Sequence, residues 1–147
     1  MKYVHTNIIT SNWKRLAQFY IDVFECQVVP PQRKQVGEWL ERGTAVLNAA
    51  LEGVHLRLPG YQENGPTLEI YQYHEIIPQS KAVANREGFG HLAFEVEDVQ
   101  AILDKMIQHG GSAHGEVSEA YVEGKGKITF TYAKDPDGNL IELQSWE

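Results

Sequence analysis

Two histidines and two glutamates occupy matching places in the two halves of this 147-residue chain. His5 and His91 each take the second position of an apolar, strand-like stretch, VHTNIIT and GHLAFEV, and 86 residues separate them (91 − 5). Glu69 and Glu142 each lie in the middle of a later stretch, TLEIY and LIELQ. Imidazole and carboxylate groups together bind Zn, Ni, Co, Mn or Fe(II) in preference to Mg or Ca. The register of the four residues therefore predicts a metal site with pseudo-two-fold symmetry.

The two-residue period of a β-strand predicts which way the first glutamate faces. Leu68 and Ile70 share one face of the strand, whereas Glu69 lies on the opposite face. We expect the aliphatic face to cover a helix, so the carboxylate lines whatever the sheet encloses. A buried carboxylate without a partner is costly, so it requires a cation. A salt bridge to Arg33 or Arg57 would satisfy one glutamate, and a core hydrogen bond would satisfy one histidine, but the register of all four residues favours a metal.

The elements around these residues repeat in the same order in both halves. Each half begins with the histidine strand, continues with an amphipathic helix, and ends in short strands separated by turn residues. Ser11 or Asn12 caps the first helix, Asp98 caps the second, and Gly110-Gly111 ends the second. Each half thus reads βαβββ, which predicts an α+β fold. We expect strands at residues 4–10, 26–30, 44–51, 54–58, 67–73, 90–96, 113–118, 127–134 and 140–146, and a helical turn at 37–42.

We expect the two halves to form one domain over residues 1–147. The modules would span about 1–75 and about 88–147, with a linker near 76–87. A half of about 70 residues buries little apolar surface on its own, so the halves should pack together. The last two strands should form a hairpin around the turn Asp135-Pro136-Asp137-Gly138-Asn139, because proline presets one dihedral angle and glycine permits a positive one.

The charge balance restricts the classes of partner. The chain has 13 Lys and Arg residues against 20 Asp and Glu residues, for a formal charge of −7. A nucleic acid or an anionic membrane surface would require a basic face, so we expect neither as a partner. No apolar run reaches the roughly 18 to 20 residues of a membrane span. The single Cys26 cannot form an intrachain disulfide, so we expect a cytoplasmic protein that acts on a small molecule.

Four segments of the chain resemble the vicinal oxygen chelate superfamily, which comprises glyoxalase I, bleomycin resistance proteins and dioxygenases. They are His5 with the helix LAQFYIDVF, then TLEIY, GFGHLAFEVEDV and YAKDPDGNLIEL, and they are most similar to the glyoxalase I (lactoylglutathione lyase) branch. The resemblance implies two paired βαβββ modules that form an open, barrel-like cavity around one divalent transition metal. It also implies that the metal ligands are His5, Glu69, His91 and Glu142.

The fourth ligand distinguishes the branches of this superfamily. Extradiol dioxygenases and fosfomycin-modifying members resemble this chain but use two histidines and one glutamate, which match His5, His91 and Glu142. Glu69 therefore favours the proton-transfer branches, which include glyoxalase I and methylmalonyl-CoA epimerase. We expect a lyase or isomerase in which the metal stabilises an enediolate and Glu142 or Glu69 is the catalytic base. The alternatives are an epimerase of the methylmalonyl-CoA type, an extradiol-type oxygenase and a non-catalytic protein that sequesters antibiotics.

The resemblance also bears on the substrate pocket and the assembly. Side chains that share a face with the site residues, or that lie in a basic loop before the final hairpin, are candidates for contacting substrate: Asn7, Tyr71, Gln144, Lys125 and Lys127. Glutathione is one possible co-substrate, but the sequence does not identify the basic residues that would bind its carboxylates. We expect a homodimer, because glyoxalase I shares its site across a dimer and two-fold dimers are the commonest closed assemblies.

The remaining histidines and the cysteine are expected to have structural roles. His55, His74 and His114 show no spacing that pairs them with another ligand, so we expect surface or edge-strand positions for them. Cys26 lacks an accompanying base, so we expect a small buried apolar residue there.

Overall fold

The computed structural model describes residues 1–78 and 80–147, which divide into two compact units, Met1–Gln79 and Ser80–Glu147. The first unit contains β1 (His5–Ile9), α1 (Trp13–Phe24), β2 (Gln27–Val36), α2 (Glu38–Thr44), β3 (Ala50–Arg57) and β4 (Thr67–Tyr73). The second unit contains β5 (Leu92–Glu95), α3 (Val99–Gln108), β6 (Ser112–Ala113), β7 (Ser118–Val122), β8 (Gly126–Lys134) and β9 (Leu140–Trp146). The predicted α+β class is confirmed. That both units belong to one domain stays a prediction.

The first unit is an open four-stranded sheet with the order β1-β4-β3-β2. The first and last strands of the unit, β1 and β4, lie side by side and parallel, and the other pairs are antiparallel. Helix α1 packs against β3 and β4 and begins at Asn12, whose side chain accepts a hydrogen bond from the backbone N–H of Arg15. Leu16 and Tyr20 of α1 and Leu68 and Ile70 of β4 are fully buried, which confirms that the aliphatic face of β4 lies in the core.

The second unit repeats this arrangement. Its sheet has the order β5-β9-β8-β6, with β7 also paired to β8, and its first and last strands, β5 and β9, are again neighbours and parallel. Asp98 caps α3 by accepting a hydrogen bond from Ala101, and Met106 of that helix is buried, as are Ile141 and Leu143 of β9. Both units therefore place the histidine segment beside the glutamate strand.

The turn between β8 and β9 forms as the sequence predicts. The Asp135 carboxylate accepts hydrogen bonds from the backbone N–H groups of Asp137 and Asn139, each over 2.9 Å. Gly138 has a φ of 88°, in the left-handed region that glycine adopts without strain. This turn fixes the register of β9, and Glu142 lies near the start of that strand.

The prediction of two strands at 44–51 and 54–58 is wrong, because residues 50–57 form the single strand β3. Glycine commonly indicates a turn, but Gly53 lies inside β3, where a Cβ atom would come within 2.0 Å of the Ile70 carbonyl oxygen and 2.6 Å of the Tyr71 ring. The glycine therefore permits close approach to β4. Similarly, the strand expected at 113–118 is two short strands, β6 and β7, and β2 extends to Val36.

Within the described ranges, no helix has both the length and the apolar character needed to cross a membrane.

Candidate functional site

In the first unit, Glu69 lies on β4, which has β1 on one side and β3 on the other. Its backbone partners are Asn7 on β1 and His55 on β3, and the residue is 7% exposed. His5 Nδ1 lies 3.3 Å and His55 Nε2 lies 3.0 Å from Oε1 of the carboxylate. Asn7 Nδ2 donates to Oε2 over 3.4 Å. Both oxygens of Glu69 thus have polar neighbours, which include the predicted ligand His5 and the predicted pocket residue Asn7.

His55 also contacts Tyr71, which follows Glu69 on the same face of β4. Its Nε2 atom lies 2.6 Å from the Tyr71 hydroxyl, and the two ring centroids are 5.7 Å apart. Burial lowers the pKa of His55, although the Glu69 carboxylate opposes that shift. Burial also raises the pKa of Tyr71 to about 12. The surface or edge role expected for His55 is therefore wrong. Its cross-strand pairing with Glu69 depended on β3 being continuous through Gly53.

In the second unit, Glu142 of β9 has Ala93 of β5 and Tyr132 of β8 as strand partners. His91, one residue before β5, places Nε2 2.8 Å from Oε2 of Glu142. The ring of His91 meets the ring of Tyr132 edge-on, with centroids 5.0 Å apart. The Tyr132 hydroxyl is hydrogen-bonded to Glu142, and burial together with that carboxylate raises the pKa of Tyr132. Sequence reasoning did not identify Tyr132, because its contact with Glu142 is set by the β8–β9 register.

The histidine and the glutamate have the same register offset in both units. Asn7 is the strand partner of Glu69, and His5 lies two residues before Asn7. Ala93 is the partner of Glu142, and His91 lies two residues before Ala93. The internal repeat predicted from the sequence is thus present in the pairing of the strands. Each unit brings one predicted imidazole to one predicted carboxylate.

The donor atoms of each pair fit a transition metal. Two ligands about 2.1 Å from one metal and about 90° apart are separated by roughly 3 Å. The nitrogen to oxygen distances of 3.3 Å for His5 and Glu69 and 2.8 Å for His91 and Glu142 are near that value. In residues 1–78 and 80–147, however, no three or more His, Cys, Asp or Glu side chains are arranged to hold a metal ion. The four-ligand site therefore stays a prediction.

The arginines considered as partners of Glu69 have other contacts. Arg57 Nη1 donates to Gln27 Oε1 over 3.3 Å, and Arg33 Nη1 donates to the carbonyl oxygen of Pro31. Arg33 nevertheless lies close enough to lower the pKa of His55 and to oppose the rise in the pKa of Tyr71. The nearest basic partners of Glu69 are therefore imidazoles.

The remaining predicted pocket residues lie farther along the second sheet. Gln144 accepts a hydrogen bond from the Trp146 indole over 3.3 Å, and the Lys125 ammonium lies 5.4 Å from the Trp146 ring. Lys127 is 2.9 Å from Glu119, which raises the pKa of the lysine. Lys127 is five residues before Tyr132 on β8, or about 17 Å along a strand. The structure thus brings Asn7 and Tyr71 to the first glutamate but does not bring either lysine to the second.

Two further features lie apart from these glutamates. A cavity of about 370 Å³ in the first unit is lined by Lys34, Gln35, Val36, Ala50, Leu51, Glu52, Gln72, Tyr73 and His74. Its lining does not include Glu69, His5 or His55. Cys26 is 2% exposed, and burial raises the pKa of its thiol to about 12, as expected for a buried apolar residue.

Known proteins resemble this chain in sequence. A family model described as the Glyoxalase/Bleomycin resistance protein/Dioxygenase superfamily matches residues 2–143. A protein named probable lactoylglutathione lyase from Synechocystis sp. is 27% identical over 140 residues, which cover 95% of this chain and 92% of that protein. A second protein of that name, from Vibrio parahaemolyticus, is 39% identical over 56 residues, or 38% of each chain.

Solved structures share the fold. A glyoxalase family protein from Bacillus cereus superposes with a TM-score of 0.80 at 21% identity, and the match covers 99% of this chain and 93% of that one. A glyoxalase I mutant from Zea mays superposes with a TM-score of 0.64 at 21% identity, covering 97% of this chain and 44% of that one. Since the family match spans nearly the whole sequence, the chain belongs to the glyoxalase/bleomycin resistance protein/dioxygenase superfamily.

Proposed function

We propose that the protein is a metal-dependent lyase or isomerase of the glyoxalase I type, which transfers a proton at the carbon next to a chelated carbonyl. The observation that carries the proposal is the repeated register: in each unit the histidine lies two residues before the strand partner of the glutamate. Family membership and the two relatives named probable lactoylglutathione lyase support it.

We propose His5, Glu69, His91 and Glu142 as the ligands of one divalent transition metal, completed within one chain or between two chains. Bound there, the metal would supply a Lewis acid that polarises the substrate carbonyl and stabilises the developing negative charge. Two nitrogens and two carboxylate oxygens would leave room on such a metal for a bidentate substrate. Zn, Ni, Co, Mn and Fe all suit this donor set.

The proton is moved by the carboxylates. Glu142 or Glu69 removes the proton from the α-carbon and returns it to the neighbouring carbon in a lyase of this type, or to the same carbon in an epimerase. The buried position of Glu69 and the hydrogen bond from Tyr132 to Glu142 would hold each group in place until substrate binds. Asn7, Tyr71 and Gln144 are proposed to line the substrate pocket, and Lys125 and Lys127 to lie at its margin.

The assembly and location belong to the same proposal. A two-fold dimer would let modules of two chains complete the ligand set, as we expect from the resemblance to glyoxalase I. Light scattering should then give twice the chain mass of 16.6 kDa at micromolar concentration. A mass of one chain would contradict a shared site. The free thiol of Cys26 fits a reducing cytoplasm, which we propose as the compartment.

The activity is tested with protein treated with a chelator and then supplied with Ni²⁺, Zn²⁺ or Co²⁺. The substrates are the hemithioacetal of methylglyoxal and glutathione, which tests the thiol co-substrate, and methylmalonyl-CoA, which tests the epimerase alternative. We expect turnover, or exchange of the substrate's α-proton with solvent deuterium, only after metal is added. Metal-loaded protein that catalyses neither contradicts the proposal and favours a non-catalytic binding protein.

A further inference from the structure

We propose that His55 is a positioning residue that fixes Glu69, so that Glu142 is the carboxylate free to act as the base. This inference rests on the proposed function, because it assigns different tasks to two glutamates that the repeat makes formally equivalent. In the first unit, Nε2 of His55 lies 3.0 Å from Oε1 of Glu69.

The two glutamates differ in what their strand partners provide. Glu69 has Asn7 on one side and His55 on the other, and both partners contact its carboxylate. Glu142 has Ala93 on one side, whose methyl group offers no hydrogen bond, and Tyr132 on the other. The sequence repeat therefore breaks at the two positions that flank each carboxylate. The break gives Glu69 one more polar neighbour than Glu142.

The contacts of Glu69 engage both of its oxygens. His5 and His55 approach Oε1, and Asn7 donates to Oε2, so rotation of the carboxylate would disturb all three contacts. An ionised carboxylate only accepts hydrogen bonds, so the tautomer of His55 that carries its proton on Nε2 is the one that donates to Glu69. Hydrogen bonds of this kind orient metal ligands and hold them in one conformation.

His55 is itself held in position. Its Nε2 atom lies 2.6 Å from the Tyr71 hydroxyl, its ring lies against the Tyr71 ring, and its side chain is only 20% exposed. The Glu69 side chain is 10% exposed, whereas that of Glu142 is 16% exposed. A carboxylate that takes a proton from substrate must change its contacts during turnover. Glu142, which has fewer of them, can do so more readily.

Three variants separate the hydrogen bond from packing of the ring. His55→Gln keeps a side-chain N–H donor, His55→Phe keeps a ring against Tyr71, and His55→Ala keeps neither. We expect His55→Phe and His55→Ala to weaken binding of Ni²⁺ or Co²⁺ by about 10- to 100-fold, the usual effect of losing such a partner. His55→Gln should stay within about threefold of the unmodified protein. His114→Ala, which removes an exposed histidine, is the matched control.

Metal affinity is measured by equilibrium dialysis, the coordination of Co²⁺ by its visible absorption, and kcat and KM with the substrate found active. We expect His55→Phe to lower kcat and metal affinity while its thermal midpoint stays close to that of His55→Gln. Affinity and kcat of His55→Phe equal to those of the unmodified protein would overturn the role of His55 and leave the proposed function intact. Rescue by phenylalanine but not by glutamine would overturn it also, in favour of packing. An unmodified protein that binds no metal refutes the proposed function itself.

Discussion

The imidazole of His55 and the carboxylate of Glu69 face each other across β3 and β4, with Nε2 3.0 Å from Oε1. His5 approaches the same oxygen from β1 at 3.3 Å. Burial lowers the pKa of His55, although the Glu69 carboxylate opposes that shift. An imidazole thus approaches Oε1 of Glu69 from the strand on each side of β4.

The first prediction separates the two glutamates. Glu142→Gln should lower kcat by at least about 100-fold, the lower range for loss of a general base, because an amide cannot accept the substrate proton. Glu69→Gln should chiefly weaken metal affinity, by about 10-fold or more, because it removes the charge of the better-fixed ligand. Steady-state kinetics and equilibrium dialysis measure the two effects. Glu116→Gln, in an exposed loop, is the control and should change neither.

The opposite pattern would contradict this division of labour. If Glu142→Gln lost metal while keeping its kcat at saturating metal, and Glu69→Gln lost kcat alone, the base would be Glu69. In that case the contacts from His55 and Asn7 would tune the base rather than immobilise a ligand.

The second prediction separates proton transfer from oxygen chemistry. If both glutamates held the metal, a bidentate substrate would take the two remaining positions, and dioxygen would have no site there. Activity should therefore persist under anaerobic conditions and with redox-inert Zn²⁺. A substrate carrying deuterium on the α-carbon should react more slowly if removal of that proton limits the rate. An activity that consumes oxygen and requires Fe(II) would instead support an extradiol-type oxygenase, in which Glu69 is not a ligand.

The third prediction concerns the close approach of β3 to β4. Gly53→Ala should destabilise the protein by about 1 to 3 kcal/mol, because the added Cβ would meet the Ile70 carbonyl at 2.0 Å and the strands would have to separate. Gly43→Ala in α2 is the matched control, since no atom lies within 4 Å of its Cβ position. That change should be neutral or stabilise by up to about 1 kcal/mol. Urea unfolding measures both variants.

Separation of β3 from β4 should also disturb the contact between His55 and Glu69. Gly53 is the strand partner of Tyr71, and His55 is the strand partner of Glu69. Gly53→Ala should therefore weaken metal binding in the protein that remains folded. Full stability in this variant would contradict the close packing of the two strands.

The residues of the candidate site were predictable to different degrees for physical reasons. The four proposed ligands stand in apolar stretches whose two-residue and helical periods are local signals, so their strands and the α+β class followed from the sequence. The role of His55 could not be predicted in this way. Its contact with Glu69 depends on the pairing of β3 with β4, and Gly53 made residues 50–57 look like two strands instead of one. In a local reading, Gly53 indicates a turn, yet in the sheet it permits contact with β4.

The turn before β9 and the lysines before it differ in the same way, because local sequence specifies the turn but not the contacts of the lysines. Asp135 and Gly138 specify their turn by side-chain capping and backbone freedom, so the hairpin was predictable. Residue type and the basic loop predict Lys125 and Lys127 as pocket residues, whereas the ion pair of Lys127 with Glu119 across the β7–β8 hairpin is not predictable in this way. Such a pairing depends on register between strands, which residue type alone does not reveal.

Metal stoichiometry tests the central claim most directly. Purified protein dialysed against Ni²⁺ or Zn²⁺ and then against metal-free buffer should retain one metal ion per chain, as measured by plasma emission spectrometry. His5→Ala and His91→Ala should each retain far less while keeping the secondary structure seen by circular dichroism, and His114→Ala should retain one. An unmodified protein that retains no metal, or a full equivalent retained by both His5→Ala and His91→Ala, would contradict the account.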